Sequence, residues 1–176
     1  MLSLVNSDSC YFTTATIVKW KHLLKSDDLK MIVIDSLRFL VSNKRVRVFA
    51  FVIMPNHLHI IWEMLHAHKL KNVQRDFLKY TAQCFKFYLL ERNDNRLHTF
   101  ISSLNDRQYQ FWQKRSLSIN LYSVSVFEQK MVYIHNNPLQ RHWHLALCPQ
   151  DYKFSSASNY YDGKYEWDFV TNFYHD

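Results

Sequence analysis

The order of strand and helix patterns along the chain, β-α-β-β-α-(β)-α, predicts an α+β fold in which an antiparallel sheet carries its helices on one face. Three observations carry this expectation. Strands and helices come in runs, without the regular βα alternation of a parallel sheet. Val46 to Met64 holds two apolar, β-rich segments joined by a Pro55-Asn56 turn signal, the pattern of a hairpin in mid-sheet. Helically spaced apolar residues stand on either side of that hairpin.

Tyr11 to Val18 interleaves Thr13, Thr14 and Thr16 with aromatic and β-branched residues and reads as a strand. Ser26-Asp27-Asp28 offers an N-cap and an acidic first turn, and Leu29, Ile32, Val33, Leu37 and Leu40 follow at helical spacing, so a helix is expected from about 27 to 42. Val46 to Met54 and His57 to Met64 are the hairpin strands. After the His66-Ala67-His68-Lys69 loop, Val73, Phe77, Tyr80, Thr81, Cys84 and Tyr88 fall on one helical face, with Arg75, Lys79 and Lys86 on another. Asn93 to Asn105 is polar and loop-like, and Ser118 to Tyr122 is a short strand candidate. Ser125 and Glu128 have capping-box spacing ahead of Phe127, Met131 and Ile134, and Pro138 ends that helix.

The chain of 176 residues is the size of one domain, expected over 1–176 with an acidic C-terminal extension from about 150, where Asp151, Asp162, Glu166, Asp168 and Asp176 face only Lys153 and Lys164. One glycine and three prolines exclude collagen-like and linker-like classes, and an aromatic share of 16% argues against disorder. The net charge of +7 suits a polyanionic partner, nucleic acid or an acidic membrane. Cys10, Cys84 and Cys148 lack CxxC spacing and are expected as unpaired thiols. The longest strongly apolar run, Val48 to Met54, is far short of the roughly 20 residues that span a bilayer. Ser7 to Cys10, with Asp8, interrupts any signal-peptide core, so a soluble intracellular protein is expected.

Two features carry chemistry. His57-Leu58-His59 lies on a strand, so the two imidazoles share a face and form half of a metal site; two core or surface histidines would have the same spacing. Tyr133 and Asn137 are four apart on a helix and share its face, as a phenol beside an amide or as a packed core tyrosine with a C-cap asparagine.

The segment Phe51-Val52-Ile53-Met54-Pro55-Asn56-His57-Leu58-His59-Ile60-Ile61-Trp62 and the segment Tyr133-Ile134-His135-Asn136-Asn137-Pro138-Leu139 resemble the signatures of the REP-associated tyrosine transposases. These belong to the HUH superfamily and are relatives of the insertion-sequence transposases that act on single strands. The resemblance extends to Phe111-Trp112-Gln113 and to Asp151-Tyr152-Lys153-Phe154-Ser155-Ser156-Ala157, and covers the chain from the Tyr11 strand to about Tyr160.

The resemblance implies a ferredoxin-like sheet of the HUH endonuclease type. It also implies that His57, His59 and Asn137 bind Mg²⁺ or Mn²⁺ and that Tyr133 is the nucleophile, cleaving and rejoining single-stranded DNA at hairpin-flanked sites through a 5′-phosphotyrosine. A bacterial cytoplasmic protein is implied, associated with the nucleoid when bound to DNA, without a membrane partner. It would be a monomer or homodimer, since insertion-sequence relatives act as dimers that exchange the tyrosine helix and REP-associated relatives can act as monomers. Lys114, Arg115 and Arg141, adjacent to family-like segments, are expected to contact the DNA backbone, with Arg75 and Lys79 as further contacts and Trp112 and Trp143 as base-stacking candidates or core residues. Lys130 is either a cation beside Tyr133 or a solvated lysine, and His135 is expected to point away from the site.

The chain departs from the family pattern in lacking a glycine after the Asn-Pro motif, where Leu139-Gln140-Arg141-His142-Trp143 stands. A domesticated DNA-binding protein without strand transfer would share the fold and the basic surface. A metal-dependent hydrolase that activates water would use the histidines without needing Tyr133.

Overall fold

The computed structural model describes residues 9–164 and 166–174; Ser7, Asp8 and Asp176, on which parts of the sequence reading rest, lie outside the described residues. Strand β1 is Cys10–Thr16, helix α1 Asp27–Ser42, β2 Val46–Ile53, β3 His57–Met64, α2 Leu70–Glu91, β4 Leu117–Asn120, α3 Val124–Asn136 and α4 Ala157–Tyr161. The strands form one antiparallel sheet in the order β2-β3-β1-β4. Through β4 the element order is β-α-β-β-α-β, and β3 lies between β1 and β2, the split-βαβ arrangement of ferredoxin-like folds.

Strand alternation assigns the faces. Thr13, Leu58, Ile60 and Trp62 look toward α1 and α2. The Trp62 indole N–H donates to Thr13 Oγ1 at 3.0 Å, and its ring lies 5.8 Å from that of Phe77 on α2. Phe12, His57, His59 and Ile61 look the other way. There Phe12 meets Tyr133 at 6.0 Å between rings and Phe49 meets Phe127 at 5.4 Å, both partners lying on α3. The expected one-face packing thus describes α1 and α2, while α3 covers the opposite face, because its Phe127, Met131 and Ile134 stripe needs an apolar surface of its own. Helices on both faces explain why β3 is buried at every position.

The tail covers the outer edge of β2. Ile53 N–H donates to Phe154 O, Ser156 N–H to Phe51 O and Thr171 N–H to Val48 O. The acidic tail therefore runs along β2, with β3 and β1 between it and β4. Its Trp167, Phe169 and Phe173 enter the core. Phe169 lies under the Arg38 guanidinium of α1, and Phe173 stacks on Phe127 of α3 with 4.0 Å between centroids.

Two local expectations are corrected. The N-cap of α3 is Ser123, whose Oγ accepts from Val126 N–H at 3.3 Å; Ser125 lies inside the first turn, and Glu128 accepts from the Tyr174 hydroxyl. On α2 the buried stripe is Val73, Phe77, Thr81, Phe85 and Leu89, with Tyr80 exposed and Cys84 and Tyr88 half-buried at its rim. The stripe is rotated because Phe85 packs against Phe111 and Trp112 of the long α2–β4 connection.

With its one glycine at Gly163, the chain places other residues at left-handed helix ends. Lys44 follows α1 at φ 52°; its N–H bonds Val41 O and the Arg45 N–H bonds Leu40 O, a Schellman closure in which glycine is the usual occupant. Lys44→Gly is expected to stabilise the fold by roughly 0.5–1 kcal/mol, relief of left-handed strain exceeding the added unfolded-state entropy. The thermal midpoint should rise by about 2–3 °C; an unchanged or lowered midpoint would contradict this.

Candidate active site

His57 and His59 stand on β3 opposite Thr16 and Thr14 of β1. Alternation sends both imidazoles to the α3 face, with 4.8 Å between rings. His59 Nδ1 is 2.7 Å from Thr14 Oγ1 and His57 Nδ1 is 2.6 Å from Asn56 Oδ1, which fixes both rings and leaves the two Nε2 atoms on the open side. From α3, Tyr133 brings its ring to 5.2 Å from that of His59, and Asn137, one turn later, is buried beside His57. Pro138 ends the α-helix just here, turning residues 137–139 into a 3₁₀ turn. The described structure thus brings Tyr133, His57, His59 and Asn137 together in one cleft of about 860 Å³.

The electrostatics of this cleft are unusual. Burial pushes His57 down to about 4, partly offset by the Asn137 amide, and pushes His59 down to about 3, helped by the charges of His57 and Lys130. Both imidazoles are therefore neutral near pH 7, the form that donates a lone pair. His59 Nε2 and Asn137 Oδ1 are buried without a hydrogen-bond partner. Unpaired buried polar atoms are costly, so two of them on one cleft wall call for a ligand. The donor set is two imidazole nitrogens and an amide oxygen, with their outer nitrogens already held, and it fits a small divalent cation. Among the described residues no group of three or more His, Cys, Asp or Glu side chains could hold a metal ion, so a cation in this cleft would need the amide oxygen as its third protein donor.

Lys130 lies one turn before Tyr133, with Nζ 5.1 Å from the Phe12 ring centroid and 5.9 Å from that of Tyr133. It lines the cleft, among whose lining residues there is no carboxylate. His135 points elsewhere, as expected: its Nε2 lies 2.9 Å from Ser156 Oγ, and Tyr160 and Tyr161 pack around it.

Burial pushes His135 down to about 4, and its Nδ1 has no partner, so a second proton would be unsatisfied there. The unfolded chain binds that proton near pH 6.5, so stability is full above this value and falls as pH drops from about 6.5 toward about 4. The loss from this residue is on the order of 3 kcal/mol. In urea unfolding at pH 7.5 and pH 4.5, His135→Gln should show a distinctly smaller pH dependence than the wild type; an unchanged dependence would refute the assignment.

The expected DNA contacts separate. Lys114, Arg75 and Lys79 line a second cleft, of about 870 Å³, between α2 and residues 106–118, together with Lys71 and Arg107. Arg75 also pairs with Asp76 at 2.9 Å. Strand β4 is the partition between the clefts, Leu117 and Ile119 facing the histidines and Ser118 facing the basic side. Arg115 and Arg141 are exposed and line neither cleft. Of its two expected roles, Trp112 takes that of a core residue: it is 6% exposed and its indole N–H donates to Thr81 Oγ1 at 3.0 Å. Trp143 lies at the histidine cleft, 5.9 Å from the His57 ring. Thr14, Trp20, His22, Gln140 and His142 also line that cleft and were not singled out from sequence. Alternation along β1 would have revealed Thr14; nothing in the sequence marks Trp20.

The chain is similar to a REP-associated tyrosine transposase solved in complex with a REP hairpin, at 17% identity over 94% of this chain and 87% of that one, with a TM-score of 0.65. It shares the fold of that transposase. A protein of Deinococcus radiodurans R1, provisionally assigned as a transposase, aligns at 15% identity over 72% of this chain and 88% of its own, with a TM-score of 0.48. No protein-family model and no curated protein matches the sequence. Among the described residues no helix is long and apolar enough to cross a membrane.

Proposed function

We propose that this protein is a metal-dependent, single-stranded DNA transposase of the REP-associated tyrosine type, cleaving and rejoining DNA at hairpin-flanked sites. The observation that carries this reading is the Tyr133 phenol beside the unpaired His59 Nε2 and Asn137 Oδ1, on the fold of a transposase. A phenol at a packed helix surface needs no such neighbours; a phosphodiester-cleaving nucleophile does.

His57, His59 and Asn137 would hold Mg²⁺ or Mn²⁺. Bound there, the cation would supply Lewis-acid polarisation of a non-bridging phosphate oxygen. Tyr133 Oη attacks the scissile phosphorus in line, the new O–P bond forms as the P–O3′ bond breaks, the phenol proton passes to solvent, and the departing 3′ oxygen takes up a proton as a free hydroxyl. The Lys130 ammonium stands where it offsets charge gathering on the phosphate oxygens. The phosphotyrosine preserves the ester energy, so a second 3′-hydroxyl reverses the step and joins strands without a nucleotide cofactor. Lys114, Arg75 and Lys79 track the DNA backbone in the second cleft, Arg115 and Arg141 add charge outside it, and the acidic tail stays away along β2.

The test is incubation of the protein with Mg²⁺ or Mn²⁺ and hairpin-bearing single-stranded oligonucleotides drawn from DNA flanking its gene. A protein–DNA adduct that survives denaturing electrophoresis is expected. Tight hairpin binding without an adduct under any metal condition would instead favour a domesticated DNA-binding protein.

A further inference from the structure

The segment between β1 and α1 carries a conformation that neither the fold nor the chemistry of Tyr133 requires. Lys19 and Trp20 both hold positive φ, 55° and 56°, the one adjacent pair of non-glycine residues in the left-handed region among the described residues. Lys44 and Asn93 adopt it at helix ends, where it is ordinary; two in succession, one of them a bulky aromatic, is strain.

The strain is held by the turn that precedes the histidines. Ile17 N–H donates to Asn56 O at 2.8 Å, Leu24 N–H to Pro55 O at 2.9 Å, and Asn56 Nδ2 to Trp20 O at 3.3 Å. The Oδ1 of that same Asn56 holds His57 Nδ1. An indole is thereby kept 59% exposed at the mouth of the catalytic cleft, its ring 6.4 Å from that of His57. Most large aromatic side chains gain stability by burial, and this one is locked away from it. Trp143 also flanks the His57 ring, at 5.9 Å, and is followed by His144, again left-handed at φ 44°. His22 and His142 pack against the Trp143 ring at 5.7 and 5.4 Å, and Gln140 lines the same cleft, among whose lining residues there is no carboxylate.

We propose that Trp20, together with Trp143, forms a stacking site for an unpaired nucleobase next to the scissile phosphate. The proposal rests on the DNA-cleaving reading above and deepens it. An indole face fits any base, because every base presents a π-face; the polar side chains at its rim are suited to the base edge. A base inside a duplex has both faces covered by its neighbours, so the site selects single-stranded DNA at the cleavage point. The shared hydrogen bonds of Asn56 tie the position of that base to the orientation of His57.

The experiment uses a fluorescein-labelled hairpin oligonucleotide whose single-stranded flank contains the cleavage position mapped from the adduct, and derivatives with one base at a time replaced by an abasic residue. Binding is read by anisotropy for the wild type, Trp20→Ala and Trp20→Phe; Trp20 is exposed, so both variants should fold, which circular dichroism checks. Removal of one base flanking the cleavage position should weaken wild-type binding about 5- to 150-fold. Trp20→Ala should lose a similar factor on the intact oligonucleotide and become indifferent to that base, while Trp20→Phe recovers part of the loss. If the wild type forms the Tyr133 adduct but Trp20→Ala binds equally well, or still responds to every abasic position as the wild type does, the stacking site is refuted and the cleavage reading stands. If the wild type neither binds the oligonucleotide nor forms an adduct, both fall together.

Discussion

Tyr133→Phe is expected to lose the covalent DNA adduct, by at least about 10⁴-fold in rate, while oligonucleotide affinity stays within about twofold. The substitution deletes one oxygen and keeps the ring. The ring contacts to His59 and Phe12 are therefore retained. The hydroxyl makes no hydrogen bond to another described residue, and the side chain is 43% exposed, so the fold should change by less than about 0.5 kcal/mol. A variant equally stable, equally able to bind and unable to form the adduct isolates the phenolic oxygen as the nucleophile. An adduct of undiminished yield would mean that another side chain attacks, and among the residues lining the cleft the Thr14 and Thr16 hydroxyls would be the next to test.

Asn137→Ala should separate the metal role of this residue from a structural one. A buried asparagine kept for stability would cost a few kcal/mol on removal, because its partners would be stranded. Asn137 Oδ1 makes no hydrogen bond and only lies beside the His57 imidazole, so without metal the variant is expected within about 1 kcal/mol of the wild type. With Mn²⁺ the two should diverge. Wild type at 100-fold excess over its dissociation constant gains about 2.7 kcal/mol, and the variant, binding at least about tenfold more weakly, gains correspondingly less. Thermal unfolding with and without Mn²⁺ reads this directly, and adduct yield should fall in parallel. An equal Mn²⁺ shift in both proteins would remove Asn137 from the ligand set.

Much of this was legible because local rules act on single elements. The acidic first turn and apolar spacing set α1 at the residues observed, and Pro55-Asn56 closed the hairpin where expected. Alternation put His57 and His59 on one face, and helical spacing put Tyr133 above Asn137. What stayed hidden depends on partners distant in sequence. The buried stripe of α2 follows Phe111 and Trp112, and the side on which α3 lands follows Phe12 and Phe49; neither pairing leaves a periodic trace. Ser123 and Ser125 offer the same chemistry two residues apart, and only the direction of the incoming chain selects the cap. The Trp20 turn could not be foreseen, since its left-handed residues are a lysine and a tryptophan where a glycine would have signalled it.

The tail that closes the β2 edge also braces the helix that carries Tyr133. Phe173 stacks on Phe127 near the start of the helix that carries Tyr133, whereas every side chain lining the basic cleft lies at or before residue 118. In chain order the whole lining of the basic cleft precedes the segment that braces this helix. On the proposed function, a chain cut short before Phe173 would keep the basic cleft and lose the ring contact that steadies the helix of Tyr133.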